Sequence, residues 1–490
     1  MPNLKTLELG KVKKADGFFL ALKTSASEAR LESIIHFGGP SISAAALHAY
    51  AQSISTMPNL RDLKLKNVII ADNISVSITT SASAFGLWLE LIKHYGRLDI
   101  SAAASEAYAK SICTMPNLKT LELKEVNIPD GFFLALKTSA SEARLELIKH
   151  YGRLDISAAA SEAYAKSICT MPNLKTLELK EVNIPDGFFL ALKTSASEAR
   201  LESIKHSGGL DISAAASEAY AKSICTMPNL KTLELKKVNI PDGFFLALKT
   251  SASEARLESI KHSGGLDISA TTSEAYVKGI CTMPNLKTLE LENVNIADGF
   301  FLALKTSASE ARLESIKHSG GLDISATASE AYAKSICTMP NLKTLELENV
   351  NIADGFFLAL KTSASEARLE SIIHFGGPSI STAALQAYAQ SISTMPNLRD
   401  LKLRNVIKAD DIYISLTTSP STFGLWGLSM KLATNSIVGS RALADIVCTM
   451  PNLRTLELND ARITDDFYLT LAELASRTRY HGRLLTTESD

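Results

Sequence analysis

Apolar residues recur along this chain at two periods that alternate. In residues 115–128 they stand at Leu118, Leu121, Leu123, Val126 and Ile128. Leu121 and Leu123 are separated by polar Thr120, Glu122 and Lys124, the period of a strand with one buried face. The next stretch, IPDGFFLALKTSASEA, places Phe133 and Leu136 at helical spacing. Asp130 is expected to cap a helix that starts near Gly131. The next stretch repeats the scheme with Leu145, Ile148 and His150, then Leu154 and Ile156. Ser157 is expected to cap a second helix, in which Ala160, Tyr164 and Ile168 lie at i, i+4 and i+8 as one apolar stripe.

The whole unit begins at a methionine, MPNL, and returns at positions 1, 57, 115, 171, 227, 283, 339, 395 and 450. Each unit of about 56 residues holds two halves of about 28, so about seventeen strand–turn–helix repeats are expected in residues 1–490, read as a single array. No half can bury both faces alone; stacking on its neighbours does so. Parallel strands stack about 4.8 Å apart while a helix is about 10 Å wide. The helix side must therefore splay, and a curved α/β solenoid is predicted, with strands on the concave face and helices on the convex face.

The spacing L-x-x-L-x-L-x-x-V-x-I at Leu118–Ile128 is close to the leucine-rich-repeat pattern. The alternating half-repeats resemble the ribonuclease-inhibitor type, a type that also forms the C-terminal sensing region of NOD-like (NACHT and leucine-rich-repeat) receptors. The phrase CTMPNLKTLEL resembles the expanded receptors of that kind in invertebrate deuterostomes. The resemblance implies a horseshoe that binds protein or microbial ligands on its concave face and can hold a receptor inactive. The chain departs from the pattern where Val126 replaces the asparagine of the ninth position, which would bond the turn backbone, and where Lys14 and Lys408 replace the closing isoleucine; those two repeats are expected to be looser. Met1 belongs to the repeat motif with no polar capping segment before it, so the chain is expected to be a fragment lacking an N-terminal region.

With 46% apolar and 21% charged residues, the 490-residue chain has the composition of a folded protein. Its net charge of −1, from 51 basic and 52 acidic residues, offers no global attraction to nucleic acid or to an anionic membrane, and neither is an expected partner. No secretory signal and no run of 18 apolar residues is visible. The one sequon, at Asn73, is what chance supplies. A cytoplasmic location is expected.

No P-loop, G-x-G-x-x-G, H-E-x-x-H, C-x-x-C or G-x-S-x-G motif is present. No cofactor, metal or catalytic residue is expected, and the chain is read as a non-enzyme. The ladder His36, His94, His150, His206, His262, His318 and His374 could be metal ligands or a pH sensor. Rungs two strands apart lie about 10 Å from each other, too far to share a metal. The histidine falls at the inward strand position held by Leu123 in the other half, and by Met430 in the eighth copy, so core packing is the stronger reading. The cysteines (Cys113, Cys169, Cys225, Cys281, Cys337 and Cys448) recur at one repeat position, replaced by Ser55 and Ser393 in two copies. They too are spaced beyond disulfide reach and are read as buried thiols. Trp88 and Trp426, in matching FGLW segments, are also read as core.

Function is therefore expected on the polar strand positions: Lys119, Glu122, Lys124 and Glu125 in one half, Glu146 and Lys149 in the other. Such positions can drift as solvated surface or be tuned for a partner. One cluster is sharper: KHYGR occurs twice, bringing Tyr95 with Arg97 and Tyr151 with Arg153, residue types that dominate interface energetics. Three functions compete: the sensing region of a NOD-like innate immune receptor, a free-standing inhibitor or scaffold of the ribonuclease-inhibitor kind, and an enzyme or GTPase activator, for which no residues argue.

Overall fold

Strand Thr120–Lys124 buries Leu121 and Leu123 and leaves Lys124 exposed. The helix that follows, Asp130–Ser139, buries Phe132, Phe133, Ala135 and Leu136, and a single 3-10 turn, Ala140–Glu142, leads out of it. Strand Leu147–Tyr151 and helix Ala158–Thr170 complete the unit. This is an α/β leucine-rich-repeat solenoid. The computed structural model describes residues 3–10, 16–37, 44–66, 89–95, 102–126, 128–152, 156–182, 184–208, 212–238, 240–264, 269–294, 296–320, 324–375, 381–398, 400–404, 413–420, 426–433, 455–459, 465, 468–469, 472–473 and 483–487. Lys14, Asn73, Trp88, Lys408 and Cys448 lie outside the described residues, as do the side chains of Ser55, Ser393, Trp426 and Met430.

The chain divides into two compact units, Met1–Leu257 and Glu258–Asp490. In the first, the strands are β1 (Thr6–Gly10), β2 (Ser33–Phe37), β3 (Asp62–Lys66), β4 (Leu91–Tyr95), β5 (Thr120–Lys124), β6 (Leu147–Tyr151), β7 (Thr176–Lys180), β8 (Ser203–Ser207) and β9 (Thr232–Lys236). Each pairs in parallel with the next. From β5 onward a shorter and a slightly longer crossover alternate: Leu121 faces Ile148, and Ile148 faces Leu177. The second unit continues the scheme with β10 (Ser259–Ser263), β11 (Thr288–Glu292), β12 (Ser315–Ser319), β13 (Thr344–Glu348), β14 (Ser371–Phe375) and β15 (Asp400–Arg404), again parallel.

The repeat frame then changes. Where a helix is expected after β15, residues Tyr413–Pro420 form strand β16, antiparallel to β15 and to β17 (Trp426–Ala433). The stretch YISLTTSP has the β-branched, period-two character of a strand and lacks the D-G-F-F start found in six of the other copies. Parallel pairing resumes from β17 to β18 (Thr455–Asn459) and from β18 to β19 (Arg483–Thr487).

The helices pack behind the sheet through a continuous row of rings. In the first unit it runs Tyr108, Phe132, Phe133, Tyr164, Phe188, Phe189, Tyr220, Phe244, Phe245, with neighbouring centroids 5.0–5.9 Å apart. Each half-repeat covers the aromatic edge of the one before it. The Ala160–Tyr164–Ile168 stripe is fully buried, as its spacing predicts. Serines within this helix stay buried by donating to the preceding turn, Ser167 to the carbonyl of Ala163 at 2.7 Å.

Ser157 caps its helix as expected, accepting from the Ala160 N–H at 3.2 Å. Asp130 does not cap its own. Pro129 stands at the cap position and Asp130 is the first helical residue. Its carboxylate instead accepts the Ser157 N–H of the next half-repeat at 3.1 Å, a bond repeated by Asp186 with Ser213, Asp298 with Ser325 and Asp354 with Ser381. One acidic residue thus sits in the favourable field of its own helix N-terminus and ties down the entrance to the next.

After β5 and β7 the chain turns through left-handed backbone at Glu125 and Glu181, both at φ 55°. The N–H groups there extend the ladder to Tyr151 O and Ser207 O, at 2.7 and 2.6 Å. The matching position in the second unit is Asn293 and Asn349, residues that tolerate this conformation better. Glu181 also explains Gly208: at φ +95°, any Cβ there would meet the Glu181 Cα at 2.9 Å.

Two outcomes are expected in urea unfolding of the full chain. Phe189→Ala should cost about 3–5 kcal/mol by opening a cavity in the ring row. Glu181→Asn should stabilise the chain by about 0.5–1 kcal/mol, and so raise the urea midpoint, by relieving left-handed strain.

Candidate functional site

Strand alternation sends the second and fourth residues of each strand to the helices and leaves the first, third and fifth on the opposite, polar face of the sheet. Because registers hold, each position becomes a row. The third-position row of the first unit reads Lys93, Glu122, Lys149, Glu178, Lys205, Glu234 across β4 to β9. Lys93 pairs with Glu122 at 2.7 Å and Lys149 with Glu178 at 2.9 Å; Lys205 divides between Glu178 at 3.9 Å and Glu234 at 3.8 Å. Each partly exposed pair stabilises by at most about 1 kcal/mol. Their larger effect is to hold long side chains in one place. In the second unit Lys317 pairs likewise with Glu346 at 2.8 Å.

The fifth-position row reads Tyr95, Lys124, Tyr151, Lys180, Ser207, Lys236 over the same strands. Tyr95 donates to Glu122 Oε1 at 2.9 Å and Tyr151 to Glu178 Oε2 at 3.3 Å. Lys124 Nζ lies 5.9 Å from the Tyr95 ring centroid, and Lys180 Nζ the same distance from that of Tyr151, cation–π contacts at the edge of useful range. Burial, then the bond to Glu122, pushes the Tyr95 phenol up to about 12. The second unit carries Glu292 and Glu348 in this row, opposite in sign to Lys124, Lys180 and Lys236.

Of the residues singled out in the sequence, Tyr95, Tyr151, Glu122 and Lys124 therefore come together. Lys119 and Glu125 do not: they flank β5 at its two ends, Lys119 N–H bonding to Glu90 O and Glu125 lying in the left-handed turn. Arg97 and Arg153 lie outside the described residues. The sequence alone does not single out Glu178, Lys180, Lys205, Ser207 and Glu234. The signal that finds them is the fixed half-repeat offset, which carries each tyrosine to a carboxylate and, two positions further, to a lysine. A groove of about 190 Å³ is lined by several of them, and another of about 310 Å³ in the second unit is lined by Lys287, Arg312, Glu314 and Lys343.

The seven histidines of the ladder are buried in the row that alternates with leucine, His150 facing Leu123 and Leu179. Both ring nitrogens of His150, His206 and His318 have no protein hydrogen-bond partner. Among the described residues no group of three or more His, Cys, Asp or Glu is placed to hold a metal ion. Cys113, Cys169, Cys225, Cys281 and Cys337 are buried free thiols, pushed up to about 12 by burial. No helix among the described residues is long and apolar enough to cross a membrane.

No protein-family model matches this chain, and no curated protein matches it at a significant level.

Burial sets the pH response. Unfolded, each imidazole takes up a proton near 6.5; folded, His94, His150, His206 and His318 do so near 4. As pH falls the unfolded state binds protons first. Stability is therefore whole above about 6.5 and is lost progressively between 6.5 and 4. Melting midpoints should be level from about pH 7 to 8 and fall below about pH 6.5; a level line from about pH 5 to 8 contradicts the ladder's burial.

Proposed function

We propose that this chain is a non-enzymatic recognition array whose polar sheet face binds a protein or microbial ligand, and that it is the sensing region of a cytosolic NOD-like innate immune receptor. The observation that carries the recognition reading is the row of tyrosines held between ordered lysines and glutamates. Tyr95 and Tyr151 lose little side-chain entropy on binding because Glu122 and Glu178 already hold them. The receptor assignment rests on the repeat pattern and its resemblance to that family. The sequence expectation of no cofactor and no nucleic-acid or membrane partner is part of the same proposal.

A free-standing inhibitor or scaffold of the ribonuclease-inhibitor kind shares this scaffold and is the second reading. The two part at the gene. Sequencing the full transcript should show the frame running upstream of Met1 into a P-loop-bearing NACHT segment; a stop codon just before Met1 would favour the free-standing protein. For either, the double variant Tyr95→Ser/Tyr151→Ser should weaken a captured partner at least tenfold, the loss of about 1.4 kcal/mol or more expected of interface tyrosines. Unchanged affinity would move recognition off this row.

A further inference from the structure

Segments 115–170 and 171–226 differ at three positions only: Leu147 against Ser203, Tyr151 against Ser207, and Arg153 against Gly209. At the fifth strand position, then, one environment exists with an aromatic ring and without it. Where the ring is present, its phenol donates to the third-position glutamate of the next strand and its face meets that strand's fifth-position lysine, at Tyr95 and again at Tyr151. Both partners are also in place for Ser207. Glu234 holds the third position of β9, the strand that pairs with β8, and Lys236 faces Ser207 directly in the register. Only the ring is missing.

The space where it would lie is the groove of about 190 Å³ lined by Tyr151, Lys180, Lys205, Ser207, Glu234 and Lys236. A cavity of about 150 Å³ holds a benzene ring, so one aromatic ring has room here. Glu234 is also less engaged than Glu122 and Glu178. Glu122 and Glu178 have lysine partners at 2.7 and 2.9 Å as well as a phenol, with side chains 10% and 19% exposed. Among the described residues Glu234 has only the 3.8 Å contact with Lys205, and its side chain is 29% exposed. Serines hold this position in the second unit too, but the residue facing them in the next strand is acidic there. Ser263 donates to Glu292 Oε2 at 3.3 Å, and a carboxylate repels the face of a ring that an ammonium attracts.

We propose that the Ser207 pocket binds the phenol side chain of a tyrosine presented by a partner protein, which supplies in trans the ring that Tyr95 and Tyr151 supply from the chain itself. Glu234 accepts the phenol hydrogen, Lys180 and Lys236 flank the ring, and the acceptor selects tyrosine over phenylalanine. This specifies the partner chemistry of the recognition face proposed above and rests on that reading.

The test uses the full chain and N-acetyltyrosinamide as probe, titrated by ligand-observed NMR. Millimolar-range binding is expected, as befits a fragment. N-acetylphenylalaninamide should bind at least fivefold more weakly. Ser207→Tyr should abolish probe binding, because the introduced ring fills the pocket, while leaving the unfolding midpoint equal or higher. Glu234→Gln, a surface change independent of whether the first variant folds, should weaken the probe at least fivefold. Equal binding by wild type and Ser207→Tyr, equal binding of the two amides, or no binding up to the solubility of the probe each overturns the proposal. The broader reading fails separately. A captured protein partner held equally by wild type and Ser207→Tyr removes the pocket and keeps the recognition face. Probe binding that Ser207→Tyr abolishes, with no protein partner captured, keeps the pocket and removes the recognition face.

Discussion

Parallel pairing of strands one half-repeat apart is the constraint from which the rest of this structure follows. A parallel strand cannot fold back on its neighbour through a tight turn; it needs a crossover, and from β4 to β15 each crossover carries a helix. With the crossover length held, side chains of the same kind return to the same place every second strand. The buried leucines, histidines and rings become rows, and each half-repeat closes the core of the one beside it. The Asp130-to-Ser157 bond shows how local the coupling is: an acidic residue at one helix start orders the backbone at the next.

The same register makes the polar face an ordered object. Lysine and glutamate meet across the third-position row because their strands differ by one half-repeat, and tyrosine is braced from two sides in the fifth. Ion pairs of this exposure add little to stability. What they supply is placement, so that the face presents fixed donors, acceptors and ring surfaces. The change of charge in the fifth row, lysine on β5, β7 and β9 and glutamate on β11 and β13, arises from the two residues after LEL, the pair that varies most among the copies.

The histidine row shows what burial does to a titratable group when packing comes first. His150 occupies the inward position that Leu123 and Leu179 hold on either side, and loss of solvent keeps it neutral in the folded state. In the second unit Tyr276 Oη comes within 2.8 Å of His262 Nδ1, a contact between a strand and the helix that follows it. A pH-dependent stability is thus a by-product of the core.

Most of the fold is legible in the chain. Period-two alternation at Leu121 and Leu123 marks a strand with one buried face. The spacing of Ala160, Tyr164 and Ile168 marks a helix stripe, and Ser157 before it marks the cap, because each depends on residues a few positions apart. The equivalence of His150 with Leu123 is also legible, since the repeat aligns them. Asp130 misleads because its bond partner lies a half-repeat away, and the β16–β17 hairpin escapes because the repeat frame outweighs the β-branched character of YISLTTSP. Local spacing was enough to fix the repeat, its two periods and its inward positions, since backbone geometry ties these to neighbours along the chain. Which polar residues meet was settled by the folded sheet alone. Register brings Tyr151 beside Glu178 and Lys180 and leaves Ser207 beside Glu234 and Lys236 without a ring. The distance between such groups is set by strand pairing rather than by the chain between them.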